Sequence, residues 1–277
     1  MIKKLIRFYV FSNIHISLAA GLFVLSSFLI SNIGIDWSYV VFIICGTFII
    51  YNINRFIALK KIGASQWSER HLVFEHRKTL FSTLSILFIL CGTISFFSLS
   101  SALKKWLLIP MTISLAYVIP SFNKQRIRDL PYLKIILIGF AWASFYTIPR
   151  LNLNLASQFI FLEKFLFFIG LTIPFDLRDS EVDKISGLKT LANSISQKGA
   201  IRIAILLLIF ASLVAFFLYH LKVYSLQILG LLSLSYIVSG LLVFKSNGRR
   251  DFYYLAYLDG MIFLQGVLIS IHLFFSI

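Results

Sequence analysis

The chain predicts an all-α, polytopic membrane bundle, on three observations. Of its 277 residues, 59% are hydrophobic and only 13% are charged, and its mean hydropathy is +0.89. A soluble domain carries about 25% charge, roughly twice as much. The apolar residues fall in long runs without the alternation of a barrel strand, and helices or closed barrels are the structures that satisfy backbone groups in lipid. The Lys and Arg residues gather in every second connection between those runs.

A bilayer core asks for about 20 apolar residues per helix. Nine segments meet or approach that length: Phe8–Ser31, Ser38–Ala58, Thr79–Ser100, Trp106–Ile119, Tyr132–Ile148, Phe161–Phe175, Ala200–His220, Tyr224–Phe244 and Phe252–Ile277. The first follows Lys3, Lys4 and Arg7 as a signal peptide would. Its apolar run is too long for a cleaved leader and reads as a spanning helix. The fourth is short and holds Pro110. With no repeat or low-complexity linker, residues 1–277 read as one domain.

Orientation follows from the basic residues. With the N-terminus cytoplasmic, the inner segments hold 21 of the 26 Lys and Arg. The outer segments hold Lys104, Lys105, Arg150, Lys164 and Lys222. That asymmetry is the positive-inside pattern, and it supports N-in, C-out topology in a cell inner membrane. It also accounts for the net charge of +15 without nucleic acid as a partner. Trp37, Tyr39 and Trp106 fall at outer helix ends, where interfacial rings settle. Cys45 and Cys91 lie inside apolar runs and read as buried small hydrophobes.

Against this background the stretch Asp176-Leu177-Arg178-Asp179-Ser180-Glu181-Val182-Asp183 stands out, with four of the 11 acidic residues. On a helix, Asp176, Asp179 and Asp183 share one face. Three carboxylates together repel one another unless a hard cation joins them, and Mg2+ binds through a few carboxylates plus substrate phosphates. Arg178 and Lys189 are placed to meet phosphate oxygens. The plainer reading is a solvated inter-helix loop.

These residues resemble a family. The acidic stretch, followed by Gly187-Leu188-Lys189-Thr190-Leu191, is similar to the second aspartate motif of the UbiA superfamily of intramembrane prenyltransferases. Tyr117-Val118-Ile119-Pro120-Ser121-Phe122-Asn123-Lys124, then Arg126, Pro131 and Lys134, resembles that family's segment between its fourth and fifth helices. The resemblance implies a nine-helix UbiA-like bundle. It implies transfer of an isoprenyl group from its diphosphate to an aromatic or other hydrophobic acceptor, with Mg2+ on Asp176, Asp179 and Asp183. One departure is clear. The family's first motif has the form N-x-x-x-D-x-x-x-D, and here Asn52 is followed by Phe56 and Lys60. The expected site is therefore half metal and half fixed cation, with Asn52, Arg55, Lys124, Arg126, Arg178 and Lys189 binding the substrate. Two alternatives stay open: a non-catalytic relative that binds an isoprenoid, and a small transporter.

Four further features stand out along the chain. An ionised Asp259 within the last helix costs about 2.5–3.5 kcal/mol and must face the bundle interior. It reads as an interhelical hydrogen-bonding group or as a base for the acceptor's proton. Asn13 and His15 read as an interhelical polar pair. His71 and His76 match no zinc spacing. Trp142, Tyr146, Tyr253, Tyr254 and Tyr257 read as tunnel walls or as ordinary packing.

Overall fold

The structure is a computed structural model describing residues 2–61, 67–119, 130, 132–150, 152, 154–185 and 190–275. The side chains of 61, 182–185 and 192 lie outside that description. The described residues form helices and no strands. In chain order the helices are α1 Ile2–Phe11, α2 Ile14–Ile30, α3 Trp37–Lys61, α4 Glu69–His76, α5 Lys78–Ser98, α6 Ser101–Val118, α7 Leu133–Thr147, α8 Leu155–Ile185, α9 Leu191–Ser194, α10 Gln197–His220 and α11 Leu226–Phe244. The last span begins as α12, Asp251–Tyr253, passes through a π-helical turn, Tyr254–Leu258, and continues as α13, Asp259–Phe275.

Among the described residues, five helices are long and apolar enough to cross a membrane, and six if the bent pair α1 and α2 counts as one. The nine expected spans are each represented by a helix. The 15-residue α7 is shorter than a full span. The chain is a multi-pass membrane protein.

The local signals are ordinary ones. Ser100, Ser196 and Ser225 cap α6, α10 and α11, each accepting the N–H of the third residue onward. Side contacts run α2, α3, α6, α7, α8, α10, α11, α13 and back to α2, so the helices close a ring. Helix α5 packs outside this ring on α3. Its outward face carries Ile86, Leu90, Ile94 and Phe97, all exposed, which suits lipid contact. The interior is aromatic: Trp142 stacks on Phe168, and Phe23 meets both edge-on and Tyr146 at a tilt.

Small residues set the closest crossings, as is usual where helices meet in lipid. A Cβ on Gly266 of α13 would lie 2.7 Å from the Leu22 backbone of α2. A Cβ on Gly170 of α8 would lie 3.0 Å from the Ala204 carbonyl oxygen of α10.

The first expected span is corrected. It breaks at Ser12–Asn13, and its two halves meet at 65°. Asn13 adopts a left-handed backbone, φ 66°, which Asn tolerates better than most residues. Helix α1 carries the exposed Lys3, Lys4 and Arg7 away from the bundle axis. Two smaller expectations also change. Tyr39 is fully buried and donates to the Phe145 carbonyl at 2.7 Å, rather than sitting at an interface. Cys91 is exposed while Cys45 is buried.

Candidate functional site

The polar end of the ring gathers charges from six helices, α3, α4, α7, α8, α12 and α13. Helix α8 runs without a break from Leu155 through the acidic stretch, so Asp176, Arg178 and Asp179 ride on its last turns. Pro174 sits just before them; its ring removes one helical hydrogen bond and loosens the helix there. Asp176 is 2% exposed and pairs with Lys134 Nζ of α7 at 2.7 Å. Arg178 turns back on its neighbour Asp179, with Nε to Oδ1 at 2.8 Å and Nη2 to Oδ2 at 3.0 Å. Arg70, from the short α4, reaches the same Asp179 Oδ1 at 3.3 Å.

Asp251, at the start of α12, completes the group. Its carboxylate lies 3.8 Å from Arg70 Nε and 3.6 Å from Arg178 Nη1. Burial by itself would raise the Asp179 carboxyl, but Arg178 and Arg70 outweigh it and hold Asp179 well below the usual carboxylate range. The Arg178 guanidinium lies against two adjoining rings, 5.2 Å from the centroids of both Phe175 and Tyr254. Its Nη1 is buried and makes no hydrogen bond. The π-helical turn that begins at Tyr254 leads directly into Asp259, which is buried and interacts electrostatically with Arg178 and Arg55.

Arg55 is buried at the edge of this group. Its Nη2 donates to Asn13 Oδ1 at 2.9 Å, and its Nη1 donates to the Phe11 carbonyl left open by the break between α1 and α2. Asn13 Nδ2 in turn donates to Asn52 Oδ1 at 2.9 Å, and Asn52 Nδ2 donates to the Phe48 carbonyl. The amide of Asn52 is therefore spent on holding the break. Lys60 is exposed and stacks over the Phe56 ring at 4.6 Å, away from the carboxylates.

The sequence-derived set therefore divides. Asp176, Asp179, Arg178 and Arg55 come together, and Asn52 supports Arg55 from behind. Asp183 lies on α8, but its side chain is outside the described residues, as are Lys124, Arg126 and Lys189 altogether. Sequence reasoning passed over Arg70 and Asp251 and gave Lys134 no role. Arg70 was hidden among ordinary loop cations, and Asp251 among helix-start residues.

The remaining candidates resolve as structural. His71 and Ser68 form a capping box on α4, with the Ser68 N–H donating to His71 Nδ1 at 3.1 Å. Tyr253 and Tyr254 donate to the carbonyls of Leu242 and Ser246. His15 Nδ1 lies 3.2 Å from the Tyr9 hydroxyl.

Whether these residues fit Mg2+ can be tested on their partners. Among the described residues no three His, Cys, Asp or Glu side chains converge as a metal set. Asp176 is committed to Lys134, and both Asp179 oxygens face guanidinium nitrogens. Along α3, the positions four and eight residues after Asn52 hold Phe56 and Lys60, not acids. The described donors do not fit a magnesium ion.

No protein-family model and no curated protein matches the sequence. Solved structures do match. A digeranylgeranylglyceryl phosphate synthase aligns over 98% of this chain and 99% of its own, with TM-score 0.60 and 16% identity. A UbiA homologue from Archaeoglobus fulgidus bound to Cd2+ aligns over 94% and 99%, with TM-score 0.60 and 14% identity. The same homologue bound to GPP and Mg2+ aligns over 95% and 96%, with TM-score 0.56 and 14% identity. The chain has the UbiA-type fold along nearly its whole length.

Proposed function

We propose that this chain is a prenyltransferase-like membrane protein that binds an isoprenyl diphosphate at the arginine–aspartate end of its ring. The isoprenyl tail lies among the apolar helices, and the polar end faces the cytoplasm from the cell inner membrane. The observation that carries this reading is the convergence of Arg55, Arg70, Lys134 and Arg178 from four helices on one end of a UbiA-type bundle. Fixed cations in a partly dry site neutralise a diphosphate leaving group as it gathers charge.

The reaction is substitution at the allylic carbon. The C–O bond breaks, and its electron pair leaves with the diphosphate. The hydrophobic acceptor's nucleophile then bonds to the allylic cation and gives up a proton to water or to a nearby carboxylate. Purified protein in nanodiscs, given geranyl diphosphate and a panel of aromatic and lipid alcohol acceptors, should release inorganic diphosphate and form a prenylated product.

One observation favours a second reading. Both described aspartates of the motif are already paired with cations, and the positions matching the first motif hold no acids, which suits an isoprenoid-binding protein without turnover. Diphosphate release above that of heat-denatured protein excludes it.

A further inference from the structure

We propose that the cluster takes a diphosphate by anion exchange and without a divalent cation, Asp179 being a resident anion that the diphosphate displaces from Arg70 and Arg178. This rests on the reading that the site binds an isoprenyl diphosphate.

Charge balance is the first support. Four described cations, Arg55, Arg70, Lys134 and Arg178, face four described acids, Asp176, Asp179, Asp251 and Asp259. A site built from bare carboxylates needs metal ions to accept an anion. Here the described Asp176 and Asp179 already face cations, so what the described site lacks for a diphosphate is free donors. Freeing them requires only that a carboxylate step aside.

Geometry is the second support. A guanidinium fork that fits a carboxylate in two places fits a phosphate in the same way. The Arg178 fork also rests against the Phe175 and Tyr254 rings, a contact that does not involve Asp179. It keeps its position when Asp179 lets go, so little reorganisation is required. Its Nη1 is a buried donor with no hydrogen bond, and the Asp251 oxygen at 3.6 Å is too far to use it. A phosphate oxygen seated there supplies what that nitrogen lacks. Arg70 arrives on α4, a short helix in the connection between α3 and α5.

Asp179 then has a definite role. In the empty site it keeps buried arginines from facing one another unpaired. In the filled site it is a competitor. A bridging metal and a resident anion thus make opposite predictions for Asp179→Asn. A metal site loses its ligand and its substrate. An exchange site loses its competitor and holds the diphosphate more tightly.

The test is titration of geranyl diphosphate into the full chain in nanodiscs, once in EDTA and once with Mg2+. Wild type should bind in EDTA within about threefold of its affinity in Mg2+. Asp179→Asn should bind several-fold more tightly, and Arg178→Gln about tenfold more weakly. Arg70→Gln, on the peripheral helix, should weaken binding without unfolding the bundle. If the Asp179 variant does not fold, the two wild-type titrations and Arg70→Gln still decide. Binding by wild type only in Mg2+, or lost in a folded Asp179→Asn, overturns the exchange while leaving the isoprenyl diphosphate reading in place. No binding in either condition overturns both.

Discussion

Arg55 donates to Asn13 Oδ1 at 2.9 Å, and the same guanidinium also closes on the Phe11 carbonyl across the break between α1 and α2. One cation on α3 therefore takes up the Phe11 carbonyl that the break leaves without a helical partner. Arg55, beside Phe56, is thus a hinge pin that also lends its charge to the polar end of the ring.

Arg55→Met should cost about 2–5 kcal/mol of stability, because it strands a buried carbonyl and a buried amide oxygen together. Thermal unfolding in detergent reads this directly. Arg55→Lys should recover part of the loss, since one ammonium reaches one of the two acceptors well. Equal stability of Arg55→Met and wild type would refute the hinge-pin role.

The crossing of α2 and α13 gives a steric prediction. Gly266→Ala places a methyl 2.7–2.8 Å from Leu22 and Phe23 backbone atoms, which cannot rotate away. The cost should be about 1–3 kcal/mol. Gly240→Ala, with nothing within 4 Å of its Cβ, should be neutral or slightly stabilising. The paired melting curves check both, and the order of the two midpoints is the decisive reading.

A second buried ion pair lies far along α8 from the acidic stretch. Lys164 Nζ donates to Glu163 Oε1 at 2.9 Å and to Gln265 Oε1 at 3.0 Å, while the Tyr224 hydroxyl donates to Glu163 Oε2 at 3.0 Å. Both charged side chains are fully buried. Glu163→Gln should therefore destabilise by about 3–5 kcal/mol, by leaving an uncompensated ammonium. The double variant Glu163→Gln, Lys164→Met should be milder than the single one. A double-mutant cycle on unfolding free energies measures the coupling.

Acid should release α4. Burial foremost, then Arg70 and Arg55 nearby, push His71 down to about 4, against an ordinary value near 6.5. The folded state thus prefers neutral His71, whose Nδ1 accepts from the Ser68 N–H. Between about pH 6.5 and pH 4 the unfolded segment binds more protons than the folded one, so its stability falls with falling pH in that window and levels off below it. Hydrogen exchange of the α4 amides should speed up on the order of tenfold from pH 7 to pH 4.5, after correction for intrinsic rates. His71→Gln should flatten that response.

Much of this molecule was legible in order along the chain. The apolar runs named the helices, and the Asp176–Asp183 stretch named the polar end of α8. The break at Asn13 was not legible, because an Asn inside an apolar run scores as one polar residue whether its backbone is helical or left-handed. Arg70 and Asp251 were not legible either, being far from Asp179 in sequence. Lys60 and Arg55 looked equivalent as inner-end cations. Five residues apart on α3, they point to different surroundings, and only Arg55 is enclosed.

By itself the sequence determined that this is a helical bundle in lipid, and which residue types stand at its charged end. Hydropathy adds up over neighbours along the chain and needs no knowledge of distance. Only the tertiary structure decided that Asp176 and Asp179 are gripped by Lys134, Arg178 and Arg70. Ion pairing depends on separation in space, and the helices that supply those partners are joined only by folding.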